Sequence, residues 1–371
     1  MSVLVLLSFT ACTPNLEKER AGRAEKATGD IVIAMVWNEP IGATLFDEGV
    51  MMAAAEINAG GGIFGRKLRL AVHSNVPQEK ELEVAESIAA DPNVVAVIGH
   101  PTSGTAIPVS VKYQKAGLLF ISSGATSPSL TNHGFHYVFR NIPSDIETGK
   151  VLAEFSVAKG FGKMVVIDDE TEYGNTLANL FVENAARAGI EILLRKSYYS
   201  WQTDFSYMIN DILNRGGDAI FLGGSVPKAA EVIKQARGMG ITIPFIGGDG
   251  LDEPALWEIA GDAADGTIVS TVFNAVDSDP DTRIFTKNFQ DRYGIAPDTW
   301  SALGYDAIHL LCDAFRRAGS AVPLVVASYL RFIEDRHSVM GKYSVTEDGN
   351  ITGKKFFFKV VRSGKFEYII N

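Results

Sequence analysis

Cysteine and histidine are scarce in this chain, and basic residues are outnumbered by acidic ones. The 371 residues include two cysteines and six histidines, and the histidines are too scattered to supply a convincing general base. The 34 lysines and arginines against 44 aspartates and glutamates leave a formal net charge of −10, which argues against a nucleic acid or an anionic membrane surface as partner. No GxSxG elbow, CxxC pair or Ser/His/Asp arrangement stands out. We therefore expect no enzyme, cofactor or metal site.

A long hydrophobic run is also missing, because the N-terminal stretch Ser2–Ala11 is too short to span a bilayer. This stretch ends at Cys12 and resembles the tail of a bacterial lipoprotein signal, although Phe9 replaces the usual leucine and no basic residue precedes the run. It predicts lipid attachment at Cys12, followed by a solvated tether over Thr13–Gly29; the alternative is an incidental buried cysteine. Cys312 lies in an apolar helical pattern and is interpreted as a core residue.

What the chain has is length and a regular alternation of strands and helices. A chain of 371 residues is too long for one typical core and predicts two domains. From Asp30 onward, apolar strands alternate with helical patterns, and the layout restarts after Asn141–Ser144. Strands separated by helices of 10–15 residues form parallel sheets with right-handed crossovers. We therefore expect an α/β fold of two doubly wound, Rossmann-like lobes.

Small-residue loops follow two strands in each half of the chain. In the first half they follow Val94–Ile98 and Leu118–Ile121, and in the second half they are Gly223–Ser225 and Gly247–Gly250. Backbone N–H groups at such strand ends and helix N-termini bind anions. The first two loops contain no lysine or arginine and lack P-loop spacing, which favours a carboxylate over a polyphosphate. The alternative is that these first two loops are ordinary strand-to-helix turns.

Five segments, in the right order and spacing, carry a family resemblance. They are AAAEINAGGGIFGRKLRL (Ala53–Leu70), VVAVIGHPTSGTAIP (Val94–Pro108), FISSGATSPSLT (Phe120–Thr131), EYGNTL (Glu172–Leu177) and IGGDG (Ile246–Gly250). From about Ile31 to the C-terminus, the chain resembles the leucine/isoleucine/valine-binding type of periplasmic solute-binding protein. The resemblance implies a type I periplasmic binding fold, whose two lobes are joined by three crossovers. These should fall near Ser144, Asn274 and Met340.

The implied domains are residues 1–29 as signal and tether, 30–144 plus 275–339 as lobe one, and 145–274 plus 340–371 as lobe two. The resemblance also assigns ligand-binding roles residue by residue. Ser103 matches the serine that binds the ligand carboxylate, and Tyr173 matches a tyrosine that closes from the second lobe. The loop that holds the amino-acid head group falls on Gly124, Ala125 and Thr126. Asp249, beside Gly250, matches the acidic residue that pairs with the ligand ammonium, and Ser225 stands where some relatives place a tyrosine. The first loop, Asn38–Thr44, does not match closely enough to transfer a residue.

The function implied by the resemblance is that of an extracytoplasmic protein that captures a small amino acid and delivers it to the permease of an ABC importer. The expected location is periplasmic or at the cell surface, as a monomer that meets the membrane only through a lipid anchor at Cys12. The alternative is a sensor of the same fold that binds an amide or a carboxylate for signalling. A DNA-binding domain, which a repressor of this fold would need, is missing.

Several weaker signals allow two interpretations each. Trp37 could form a pocket wall or pack in the core, and Lys228 could reach a second acid group of the ligand or begin a solvated helix. His100 beside Ser103 would supply base and nucleophile if an enzyme were hidden here. We interpret Asp168–Glu170 as charge on the cleft rim. His133 with His136, and the series Asp277, Asp279 and Asp281, are interpreted as surface features rather than metal sites.

Overall fold

The structure, a computed structural model, describes residues 15–37, 44–74 and 76–369. The predicted lipid-attachment residue Cys12 and most of the Asn38–Thr44 loop lie outside these ranges. No helix within the described ranges is long and apolar enough to cross a membrane.

The elements of the first half of the chain alternate as expected. In chain order they are α1 (Leu16–Lys26), β1 (Ile31–Trp37), α2 (Phe46–Ala59), β2 (Leu68–Ser74), α3 (Glu81–Ala90), β3 (Val94–Gly99), α4 (Ser103–Lys115), β4 (Leu119–Ser122) and β5 (Val138–Arg140).

The second half begins with a helix and repeats the alternation. Its elements are α5 (Asp145–Ala158), β6 (Lys163–Asp168), α6 (Glu172–Arg187), β7 (Glu191–Ser197), α7 (Ser206–Arg215), β8 (Ala219–Gly223), α8 (Lys228–Gly238), β9 (Phe245–Gly247), α9 (Ala255–Ala260) and β10 (Ile268–Thr271). The remaining elements are α10 (Pro280–Tyr293), α11 (Thr299–Ala318), α12 (Pro323–Leu330), β11 (Arg336–Ser338), β12 (Gly341–Val345), β13 (Ile351–Thr352), β14 (Phe357–Val361) and β15 (Phe366–Tyr368).

The first lobe is built on a five-stranded parallel sheet in the order β2-β1-β3-β4-β5. All seven residues of β1 are buried. Because side chains alternate between the faces of a strand, Ile31 and Ile33 pack in the core formed with α2 and α11. Val32 and Ala34 pack in the core formed with α3 and α4. An unbroken apolar strand is what a sheet covered by helices on both faces requires.

The second lobe is built on a seven-stranded sheet in the order β15-β14-β10-β9-β8-β6-β7. Its strands from β10 to β7 are parallel, whereas the C-terminal hairpin β14–β15 joins antiparallel to β10 at the edge. Val165 and Ile167 of β6 face the core that contains α7 and α8, while Met164 and Val166 face the core of α5 and α6. The predicted architecture of two doubly wound lobes is confirmed.

The late helices α10, α11 and α12 return to the first lobe, where their apolar side chains join the core of α2 and β1. A small antiparallel sheet follows, in the order β11-β12-β13. Met340, Tyr343 and Ile351 belong to the same first-lobe core. The residue boundaries of the lobes remain a prediction, and these contacts favour a last crossover after Thr352 rather than near Met340.

The N-terminal segment differs from the predicted solvated tether. Helix α1 begins at an Asn15 cap, whose side chain accepts a hydrogen bond from the backbone N–H of Lys18. Its sequence LEKERAGRAEK lacks an apolar stripe, and this is why periodicity did not predict a docked helix. The deepest docking contact is made by the long side chain of Arg20, which is fully buried, beside the smaller buried Ala24.

The Arg20 guanidinium is held by four backbone carbonyls of the first lobe. It donates to Val94 O at 2.7 Å, Ala89 O at 2.7 Å and Asp91 O at 3.0 Å, and it also donates to Ala116 O. Ala89 and Ala116 lie at the C-terminal ends of α3 and α4, where carbonyls lack helical partners and the dipole attracts a cation. Burial lowers the pKa of Arg20 to about 10, so the side chain stays charged at neutral pH.

Replacement of Arg20 by alanine should lower the free energy of unfolding by about 2–4 kcal/mol, because several buried carbonyls lose a charged donor. The matched control is Arg23→Ala on the same helix, whose side chain is half exposed and pairs with Glu19; such surface pairs contribute about 0–1 kcal/mol. Urea unfolding of both variants measures the difference. Equal stability of the two variants would show that α1 is not held by Arg20.

Candidate functional site

The first-lobe loops that follow β3 and β4 touch each other. Ser103, the first residue of α4, is buried, and its hydroxyl oxygen accepts a hydrogen bond from the Ser127 backbone N–H at 3.2 Å. A Cβ added to Gly124 would lie 2.4 Å from the carbonyl oxygen of Pro101. Glycine is therefore required at 124, since the two loops pack backbone to backbone.

Arg140, at the end of β5, holds the loop that follows β4 through its backbone carbonyls. Its guanidinium donates to the carbonyls of Thr126 and Ser127, each at 2.7 Å, and the side chain is fully buried. Burial lowers the pKa of Arg140 to about 10, opposed by the charges of Asp145 and Asp348. These two bonds hold the loop in one conformation on the side of its carbonyls. Sequence reasoning missed Arg140 because it reads as an ordinary strand residue.

Two further loop residues were assigned to ligand binding. Ala125 is fully buried, and its N–H donates to the Ser122 hydroxyl at 3.1 Å. The Thr126 hydroxyl is buried and has no hydrogen-bond partner within the described part of the chain. An unsatisfied buried hydroxyl carries a desolvation penalty, and a ligand oxygen or ammonium group would relieve it.

The second lobe contributes a tyrosine and an acidic turn. The Tyr173 hydroxyl donates to Asp249 Oδ1 at 3.2 Å and accepts from the Gly250 N–H at 3.0 Å. A Cβ at Gly250 would lie 2.7 Å from the Ser225 hydroxyl oxygen, from Gly224 O and from the Tyr173 ring. The structure therefore brings Tyr173, Ser225, Asp249 and Gly250 together in one cluster.

Asp249 lies in a low-polarity environment. Burial is the main cause that raises the pKa of its carboxyl to about 6, with a smaller contribution from the charge of Asp252, whereas the Tyr173 hydroxyl acts in the opposite direction. Burial and the nearby Asp249 carboxylate also raise the pKa of Tyr173 well above its usual value, so this hydroxyl stays protonated as a donor. An ammonium group beside Asp249 would stabilise its ionised form.

A second carboxylate, Asp145, was missed by sequence reasoning. It is the first residue of α5, its N–H donates to Thr126 O at 2.9 Å, and its side chain is fully buried. Neither carboxylate oxygen has a hydrogen-bond partner among the residues described. Burial, and then the charge of Asp249, raise the pKa of Asp145 well above its usual value, while the charge of Arg140 partly opposes this. Ser144-Asp145 is a helix-start signal that could have drawn attention to this position.

The two halves of the site face each other across the junction of the lobes. The Ser127 hydroxyl of the first lobe donates to Glu172 Oε1 of the second at 2.8 Å. A small cavity lies at this junction, and its lining includes Thr126, Thr148 and Asp249. Thr126 of the first lobe and Asp249 of the second thus line the same cavity, and the buried Asp145 carboxylate lies close to both. This arrangement suits a small zwitterion, whose carboxylate needs donors and whose ammonium needs acids.

The suspected enzymatic pair is not formed. The buried His100 ring uses both nitrogens elsewhere, with Nδ1 at 2.8 Å from Glu81 Oε2 and Nε2 at 2.8 Å from the Tyr113 hydroxyl. His100 therefore supports the packing of α3 against α4, and Ser103 has no base beside it in this arrangement.

The interpretation of Asp168–Glu170 as rim charge is wrong for its two aspartates, both of which are buried. Asp169 accepts from the Thr171 hydroxyl at 2.6 Å and from the Ser225 N–H at 3.2 Å. Asp168 pairs with Arg195 at 3.5 Å. The Asp169 carboxylate, just after the end of β6, thus holds two loops of the second lobe in place, including the loop that contains Ser225.

The other open alternatives are decided by contacts. Trp37 is a core residue, stacked on Phe46 with ring centroids 3.7 Å apart. Lys228 pairs with Glu231 at 2.6 Å and donates to Gln202 O, so it does not reach toward the site. Asp279 caps α10, and no group of three histidine, cysteine or acidic residues suited to a metal ion occurs in the part of the chain that the structure describes.

Comparisons with known proteins agree with this geometry. The sequence model described as "Periplasmic binding protein" matches residues 40–365. The chain is 32% identical over 328 residues to Leu/Ile/Val-binding protein homolog 1 of Brucella suis, covering 87% of each protein. It is similar to an ABC transporter substrate-binding protein of Desulfitobacterium hafniense solved with Leu, at 35% identity and a TM-score of 0.82, covering 92% of this chain and 100% of that one. The branched-chain amino acid transporter substrate-binding protein LivJ of Streptococcus pneumoniae, solved with isoleucine, is 27% identical with a TM-score of 0.83, covering 92% and 99%.

Proposed function

The chain belongs to the periplasmic binding protein family, and on that premise we propose that it captures a small amino acid, branched-chain or related, and delivers it to an ABC importer. The observation that carries this proposal is that the Thr126 hydroxyl and the carboxylates of Asp145 and Asp249 meet at the junction of the lobes, where Thr126 and Asp249 line one small cavity. Relatives described as Leu/Ile/Val-binding proteins, and similar structures solved with Leu and isoleucine, support the choice of substrate class.

In the proposed complex, the first lobe binds the carboxylate end of the ligand. The donors are the hydroxyls of Ser103 and Thr126 and the backbone N–H groups of Gly124 and Thr126. Arg140 keeps this loop in place by holding the carbonyls of Thr126 and Ser127. All of these proposed donors are neutral groups.

The second lobe binds the ammonium end. Asp249 supplies one negative charge and Asp145, at the start of α5, supplies another beside it. Tyr173 covers the ligand from the second lobe while its hydroxyl holds the Asp249–Gly250 turn. Ser225, above Gly250, leaves more room for the ligand side chain than a tyrosine would.

Family membership places the protein outside the cytoplasm. We propose that it is attached to the membrane by lipid at Cys12, works as a monomer, and presents its ligand to a permease. The sensor function is less favoured than transport, because the similar structures compared above are described as substrate-binding proteins of transporters.

The experiment that tests the proposed function is calorimetry of the purified protein against leucine, isoleucine, valine and small carboxylates that lack an amino group. Any ligand that remains bound through purification should be removed by unfolding and refolding before the titration. Binding of α-amino acids but not of the amino-free acids is the expected result. Tight binding of an amino-free carboxylate would favour the sensor function instead.

Ligand should also shift the protein toward a closed form, because it contacts both lobes. The bond between Ser127 and Glu172 joins the lobes in the structure, as expected for a closed arrangement. Small-angle scattering should show a smaller radius of gyration with saturating leucine, or with whichever amino acid binds most tightly. Asp249→Asn at the same ligand concentration should keep the profile of the free protein. An unchanged wild-type profile with ligand bound would contradict hinge closure.

A further inference from the structure

Helix α12 presents an apolar face to solvent. At 100° per residue, its exposed side chains occupy one continuous arc together with Phe332 just beyond the helix; they are Leu324, Val325, Ser328, Tyr329 and Phe332. Surface helices normally turn charged residues outward, whereas these five side chains are uncharged and the nearest charge is the partly buried Arg331 at the edge of the arc. Phe332 is 77% exposed. Exposed apolar patches of this kind mark interaction surfaces.

The docked N-terminal helix lies against this part of the lobe. Helix α1 contacts α12, and Glu17 in its first turn accepts a hydrogen bond from the Tyr137 hydroxyl at 2.7 Å. The neighbouring His136 lines a groove with Leu324 and Phe332. The first turn of α1 and the apolar arc of α12 therefore lie at the same end of the first lobe.

We propose that this face, formed by α1 and the apolar arc of α12, rests on the lipid bilayer when the chain is anchored through Cys12. The proposal rests on the lipid attachment included in the proposed function. From Cys12 to Leu16 the chain can span at most about 14 Å. The Arg20 contacts with four carbonyls fix α1 on the lobe, so the tether is short and the anchored face is set by the fold.

The chemistry of the face fits the interfacial region of a bilayer. Phenylalanine, tyrosine and leucine side chains bury favourably at the headgroup boundary. Arg317 is exposed near the end of α11, just before α12 begins, and can approach anionic headgroups, whereas Arg316 beside it pairs with Asp313 at 3.4 Å. The net charge of −10 opposes binding of the whole protein to an anionic surface, so this face requires the covalent anchor to remain at the membrane.

This orientation keeps the ligand site away from lipid. The Arg20 partner Val94 is the first residue of β3, whereas Ser103 and the ligand loops follow the carboxyl ends of β3 and β4. The membrane face and the site are therefore at opposite ends of the first-lobe strands. Both lobes can open and close while the anchored face stays on the bilayer.

The test couples unacylated protein to vesicles through Cys12. A maleimide lipid in phosphatidylcholine–phosphatidylglycerol vesicles reacts with thiolates, and Cys312 is protected because it is buried and burial raises the pKa of its thiol to about 12. Two variants, Phe332→Trp and Tyr207→Trp, add an indole at sites that are both 77% exposed but lie on different lobes. Lipids brominated in the acyl chain then report contact by quenching.

Emission added by Phe332→Trp should shift to shorter wavelength and be quenched, while emission added by Tyr207→Trp should change in neither respect. A further variant, Tyr329→Asp with Phe332→Asp, should shorten the time that α12 amides stay protected from hydrogen exchange on vesicles. Equal quenching at both positions, or quenching at neither, would overturn the proposal. Protection of α12 in concentrated protein without vesicles would identify a second copy of the chain as the occupant and would also overturn it.

Native acylation is tested separately by mass spectrometry of the protein extracted from membranes. A diacylated Cys12 supports the anchor, whereas an unmodified Cys12 would overturn the membrane orientation without affecting amino-acid binding. The calorimetric experiment on the ligand site is independent of both results, so failure of one proposal can be told from failure of the other.

Discussion

Asp249→Asn should weaken amino-acid binding by about 30-fold to several thousand-fold, equivalent to roughly 2–5 kcal/mol. The substitution keeps the shape of the side chain and removes the charge that faces the ligand ammonium. The ammonium would then be enclosed with one carboxylate fewer, in a region where burial already raises the pKa of Asp249 to about 6. Isothermal titration with leucine, isoleucine and valine measures the loss.

Two matched variants make this experiment specific. Asp262→Asn removes an aspartate from the exposed surface of the same lobe and should leave affinity unchanged. Ser103→Ala, which removes one hydrogen bond to the ligand carboxylate, should cost less than Asp249→Asn, about 1.5–3 kcal/mol. Wild-type affinity in Asp249→Asn would mean that the ligand is not held as an α-amino acid.

The fold could be predicted from the sequence because the signals that determine it are local and periodic. The unbroken apolar run of β1 and the repeated strand–loop–helix order predict two parallel sheets, each with helices packed on both faces. The site could be predicted only where a family motif covers it, as at Ser103 and Asp249. Ligand binding by these residues is a proposal, and of the two it is Asp249 that lines the small cavity at the junction of the lobes.

What the sequence did not reveal depends on long-range contacts. Arg20 is an isolated basic residue in a polar segment, and only the tertiary structure brings four carbonyls from separate turns to its guanidinium. Asp145 follows a predicted domain boundary, and no local pattern indicates that Thr126 and Asp249 lie nearby. The prediction that Asp168 and Asp169 are rim charges was wrong for the same reason. The sequence does not show that the turn after β6 brings the Thr171 hydroxyl to the Asp169 carboxylate.

Asp145→Asn should change stability and affinity in opposite directions. In the free protein, Asp145 is a buried carboxyl group without a hydrogen-bond partner in the described chain, close to the charge of Asp249. Its replacement by a neutral amide should raise the free energy of unfolding at pH 7 by about 1–3 kcal/mol, the usual desolvation cost of an unsatisfied polar group. Ligand affinity should fall, since the ammonium loses one of its two acids.

The sign of the pH dependence follows from the raised pKa of Asp145. The folded free protein holds this proton more tightly than the unfolded chain, so the wild type loses stability relative to the variant as pH rises above about 4. The stability difference should therefore be small at pH 4 and widen toward pH 7. Affinity runs the other way, because protonation of Asp145 and Asp249 at low pH removes the charges that bind the ammonium.

Urea unfolding of both proteins at pH 4, 5, 6 and 7, without ligand, measures the stability difference. Titration of the wild type at pH 6 in buffers of different ionisation enthalpy should show proton release on binding, because the ligand ammonium lowers the pKa of Asp249 from about 6. The Asp145→Asn variant should release fewer protons. A variant that is less stable than the wild type at pH 7, yet binds leucine equally well, would show that Asp145 supports the helix start of α5 and takes no part in binding.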